Sequence, residues 1–115
     1  MEFKEGFNKF ITANIINQLI YSHNCFIRAN FEEGNKILDF AKNNIKELEK
    51  IINYEKKELT AKYKDLAINK INDINKEIMT IDKYIKLEDY ISSSDIIYYR
   101  LRKKIEELKL NSSLV

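Results

Sequence analysis

A chain of 115 residues with one His and one Cys has little from which to build a catalytic centre. His23 and Cys25 stand two positions apart, so on a helix they point to different sides and cannot pair as base and thiol nucleophile. No Gly-rich phosphate loop, HExxH, CxxC or nucleophile elbow occurs. One Cys and one His are too few for a structural zinc site, and His23 lacks the Glu three residues earlier that helical di-metal sites use. The carboxylates Glu47, Glu49, Glu55 and Glu58 stand among lysines, the pattern of a solvated helix face rather than of two acids with separated pKa values. No catalytic, cofactor or metal residue is assigned, and the chain reads as a non-enzyme.

Binding chemistry concentrates in one place, Tyr98-Tyr99-Arg100-Leu101-Arg102-Lys103-Lys104. Two of the three arginines lie here. Arg grips phosphate or carboxylate through two bonds, and Tyr stacks on a base. Tyr98, Tyr99, Arg100, Arg102, Lys103 and Lys104 are therefore candidate contacts for nucleic acid or a protein partner. Glu106 and Glu107 offset the run, and a net charge of only +2 supplies no strong field toward nucleic acid or lipid. A smaller polar group, Asn14, Asn17, Gln18 and Tyr21, would suit a small ligand between chains, although such amides more often bond each other or water.

The elements that must carry these residues are helices. The chain has no Pro, and its two Gly stand at positions 6 and 34, so few places can stop a helix. From Phe3 to Asn30 the apolar residues Phe3, Phe7, Phe10, Ile11, Ile15, Ile16, Leu19, Ile20, Phe26 and Ile27 cover most of the circumference at about 100° per residue. A helix apolar nearly all round must be surrounded by protein, either in the centre of the fold or between chains. Within the uncharged run Phe10 to Ile27, the polar Asn14, Asn17, Gln18, His23 and Asn24 argue against a membrane span or a secretory leader. A cytoplasmic protein is expected.

Asn30 to Asn35 reads as the clearest turn, with Asn30 and Glu33 as a capping box and Asn35 as a second N-cap. A heptad stripe follows through Leu38, Ala41, Ile45, Leu48 and Ile52, and a second runs Ala67, Ile71, Ile74, Ile78, Ile81 and Ile85. Between them Leu59, Tyr63, Ala67 and Ile71 step by four, which rotates the apolar face about 40° each time. Either one helix runs from about Asn35 to Ile91, on the order of 85 Å long, or the chain turns near Glu55-Lys56-Lys57-Glu58. The absence of Gly and Pro from residues 36–90 tips the reading toward continuity. Ser92 with Asp95 then fits a capping box for a last helix, residues 93–110, and residues 111–115 read as a frayed tail.

The expected fold is all-α: a helical bundle of antiparallel coiled-coil type with a long central helix, the alternative being a compact up-down four-helix bundle. Residues 1–110 form one domain. An open hairpin of this size exposes too much apolar surface to stay monomeric. A homo-oligomer is therefore expected, with Phe7, Ile11, Ile15, Leu19, Ile74, Ile78, Ile81 and Ile85 among its interface positions. The leading functional reading is a non-catalytic module that binds another protein as inhibitor, adaptor or assembly factor, with no cofactor and no membrane. A small nucleic-acid-binding regulator using the Tyr98 to Lys104 helix is the alternative. Seventeen Lys against three Arg, with abundant Ile and Asn, fit the codons of a low-GC bacterium or its phage.

Overall fold

The stripe from Asn35 to Ile91 breaks at Thr60. Its backbone is extended (φ −71°, ψ 156°), and its Oγ1 accepts a bond from the Tyr63 amide at 3.1 Å, so it caps a new helix. The long central helix is therefore absent, and the compact four-helix alternative is the one found. The structure, a computed structural model, describes residues 2–54 and 58–110. Residues 55–57 of the expected turn and the tail 111–115 lie outside them.

Glu2–Ile11, a π-helical segment Thr12–Ile16 and Asn17–Ile27 run on as one helix, α1; α2 is Phe31–Tyr54 and α3 is Ala61–Lys86. The last helix, α4, joins Tyr90–Asp95, a second π-helical segment Ile96–Leu101 and Arg102–Glu106. Among the described residues there is no strand. Side-chain bonds give the antiparallel order. Asn8 at the start of α1 bonds Leu110 beyond α4, Ser22 of α1 bonds Gly34 of α2, and Lys70 of α3 bonds Glu107 just past α4. The bundle measures 43 × 23 × 21 Å across its Cα atoms, about half the length that a continuous middle helix would need.

The π segment explains why α1 looks apolar on every side. A π turn holds an extra residue, so the buried face shifts from Phe7, Ile11 and Ile15 to Ile16, Leu19 and Phe26. The wider turn also takes up the drift of a four-residue step. Glu5, Lys9, Ala13, Asn17 and Tyr21 consequently form one continuous solvent strip. Helix α1 is not enclosed all round.

Of the eight positions expected at an interface between chains, Phe7, Ile11, Ile15, Leu19, Ile74 and Ile81 are buried within this single chain. Ile78 and Ile85 pack half-buried on the same core. The surroundings these residues require come from the other helices of the bundle, so they form core rather than an oligomer surface. Tyr63 is fully buried there, and its hydroxyl donates to the Leu108 carbonyl at 2.5 Å. Burial pushes the phenol well above its ordinary range.

Both three-residue connections at one end of the bundle have the same geometry. After α1, Ala29 takes a left-handed conformation (φ 60°) and the Asn30 amide reaches back to the Cys25 carbonyl at 2.8 Å. After α3, Glu88 does the same (φ 58°) and the Asp89 amide reaches the Tyr84 carbonyl at 2.9 Å. These are Schellman-type stops built without Gly. Asn30 caps α2, accepting from the Glu33 amide at 3.4 Å, and α2 starts at Phe31, so Asn35 is interior. Asp89 caps α4 by accepting from the Ser92 amide at 3.0 Å and the Ser92 hydroxyl at 2.7 Å. Ser92 is thus the partner of a cap, not the cap expected. Gly34 serves close packing rather than a turn, since a Cβ there would sit 3.1 Å from the Phe26 ring.

Candidate functional site

The basic run of α4 is largely committed inside the molecule. Arg100 holds Glu77 of α3 through Nη2–Oε1 at 2.6 Å and Nε–Oε2 at 3.1 Å, and Lys104 reaches the same carboxylate at 3.3 Å. Glu77 is buried, so the two cations neutralise a charge that would otherwise be costly there. Arg102 lies 4.4 Å over the Tyr98 ring, donates from Nε to the Tyr98 carbonyl at 3.0 Å and pairs with Glu106 at 3.1 Å. The Tyr98 ring also stacks on His23 at 4.6 Å. The His23 Nδ1 lies 2.9 Å from the Ser94 carbonyl, which can only accept, so Nδ1 carries the proton. Of the six sequence-identified residues, Tyr99, Arg100 and Lys103 are exposed, Arg100 while holding Glu77 and Tyr99 while edging the His23 and Tyr98 rings.

The amide group is not brought together as a site. Asn17 and Tyr21 lie on the solvent strip of α1, and Asn14 engages through its backbone carbonyl, which accepts from Asn44 at 2.9 Å. Among the described residues no group of three His, Cys, Asp or Glu side chains could hold a metal ion.

Exposed apolar side chains are spread over the bundle, Phe40, Tyr54, Ile68 and Met79 among them, and three stand together at the end where Ala29 and Glu88 turn the chain. Ile27 is 64% exposed, Leu87 66% and Ile91 78%. Helix stops place all three. Ile27 is the last residue of α1, Leu87 caps the end of α3, and Ile91 is in the first turn of α4. Between them the first residues of α2 and α4 meet face to face, the Phe31 and Tyr90 rings stacking at 3.9 Å and 13°. Tyr90 stacks in turn over Phe26 at 5.8 Å and 17°. A cavity of about 360 Å³ opens here, lined by these three rings, by Ile27, Ala29 and Ile91, and by Glu88 and Asp89.

The same end is acidic. Residues 27–36 and 81–95 carry Glu32, Glu33, Asp82, Glu88, Asp89 and Asp95 against Arg28, Lys36, Lys83 and Lys86, a slight acidic excess; Asp82 pairs with Lys42, and the other five carboxylates are in no ion pair with a described residue. Two helix N-termini and two C-termini meet at this end, so the backbone dipoles offset each other and the side chains set the potential. Hydrogen bonds from Ser92 hold the Asp89 carboxyl below its ordinary value. Sequence reasoning missed this surface. The available signal was that Leu87 and Ile91 fit neither the stripe ending at Ile85 nor the one through Leu101, Ile105 and Leu108.

No protein-family model matches the chain, and no curated protein or solved structure matches it either. Among the described residues no helix is long and apolar enough to cross a membrane.

Proposed function

We propose that this chain is a non-catalytic helical module that binds another protein through the end of the bundle formed by Ile27, Phe31, Leu87, Tyr90 and Ile91. The observation that carries this reading is the conjunction of exposed apolar side chains with a rim of unpaired carboxylates. Three large aliphatic side chains grouped at one end favour contact with another surface over contact with water. The carboxylates select a partner whose apolar contact is flanked by Lys or Arg. A second copy meeting this end symmetrically would oppose like charges, so the occupant is a different protein. Phe7, Ile11, Ile15, Leu19, Ile74 and Ile81 are buried within one chain and so offer no surface to a second copy.

Nucleic-acid binding has less to draw on. Arg100 and Lys104 already neutralise Glu77, and Arg102 is held on Tyr98 and Glu106, leaving Lys103 as the cation of that run in no ion pair with a described residue, where counterion release needs several. The test of the protein-binding reading is capture from the native host with the wild-type chain and with Leu87→Glu/Ile91→Glu. Both positions are exposed, so the variant keeps the core. A partner retained by the wild type and lost from the variant supports the reading. Identical captured sets overturn it.

A further inference from the structure

We infer that the cavity between the two left-handed turns receives an arginine side chain of the partner. The inference rests on the protein-binding reading above and adds the chemistry of its anchor. At about 360 Å³ the cavity stands at the low end of ligand-site sizes, with room for a large side chain rather than a cofactor. Its lining joins two features that one residue type satisfies together. Phe26, Phe31 and Tyr90 lie in roughly parallel planes, stacked on one another; Phe26 is buried, and the half-buried Phe31 and Tyr90 offer the remaining aromatic surface. Glu88 and Asp89 offer carboxylates, and no cation is among the lining residues.

A leucine or phenylalanine would fill the apolar walls but strip water from the two carboxylates without replacing its hydrogen bonds. Lysine brings a charge, yet its compact, strongly hydrated ammonium has no flat face to lay on a ring. A guanidinium does both, stacking on the aromatic surface while its planar fork donates to carboxylate oxygens. Asp89 keeps lone pairs for this role, because Ser92 engages each of its oxygens only once.

Glu88→Asn supplies the discriminating variant. Asn tolerates the left-handed backbone at this position better than Glu does, so the variant removes the carboxylate without disturbing the turn. The experiment is a ¹H–¹⁵N NMR titration of the full chain with Nα-acetyl-arginine amide, with the corresponding lysine and leucine amides as comparators. The expected result is saturable shifts at the Ala29, Glu88 and Ile91 amides, with a Kd on the order of 1 mM for arginine. Lysine and leucine should bind about threefold more weakly or worse, and Glu88→Asn should weaken arginine by about the same factor while its Tm does not fall. Arginine that shifts none of these amides, or that binds Glu88→Asn undiminished, overturns the inference. Leucine binding there as tightly as arginine also overturns it but leaves the protein-binding reading standing. That reading fails separately if Leu87→Glu/Ile91→Glu captures the same partners.

Discussion

Ala29 and Glu88 hold backbone conformations that Gly would occupy without a Cβ penalty (φ 60° and 58°). Both turns close the helices that lead into the candidate surface, and both residues line its cavity. Ala29→Gly should leave stability unchanged or raise it by up to about 1 kcal/mol, because relief of the left-handed strain outweighs the added freedom of the unfolded chain. Thermal denaturation checks this, the upper figure corresponding to a Tm rise of several degrees. Asp89 makes a second residue-scale prediction. Its pKa is lowered from 3.8 by the Ser92 bonds, so the folded state holds its proton less tightly than the unfolded chain. Its contribution is complete above 3.8 and is lost as pH falls through the lower folded value. Ser92→Ala removes the hydroxyl bond, so acid titrations should show a smaller loss of stability over that interval than the wild type shows.

At the scale of elements, the capping chemistry decides where helices begin. Thr60→Ala should cost about 1 kcal/mol by removing the acceptor of the Tyr63 amide, read as a lower midpoint in urea with an unchanged slope. That cap also marks the limit of what was legible beforehand. The apolar stripes of α2 and α3 stand in the sequence as regular steps, and so does the all-α class. The break between them does not, because its signal is one Thr without the Glu that would complete a capping box. The π segments were illegible for a related reason. Counting at the α-helical period smears two successive buried faces of α1 over the whole circumference, the change from one to the other falling at the buried pair Ile15 and Ile16 within Thr12–Ile16. The enclosure that the sequence pattern asks of a second chain is supplied for Phe7, Ile11, Ile15 and Leu19 by the other helices of the bundle. The basic run of α4 was visible as composition, but its pairing with Glu77 depends on a helix far away in sequence.

On the scale of the whole molecule, closing the bundle leaves its apolar stripes inside and sets three exposed aliphatic side chains beside several carboxylates at one end. The chain as a whole carries a slight positive charge, yet the end bearing Ile27, Leu87 and Ile91 carries five carboxylates in no ion pair with a described residue. In the binding mode proposed above, an apolar contact would give the area, and the acidic rim would make association faster at low salt and selective for a basic partner. The central claim is that function resides at this end rather than on the Tyr98 to Lys104 face. Hydrogen–deuterium exchange of the chain alone and bound to its captured partner tests it most directly. Protection should appear at residues 26–33 and 86–91 on binding; protection confined to residues 98–104, with the turns at Ala29 and Glu88 unchanged, would contradict it.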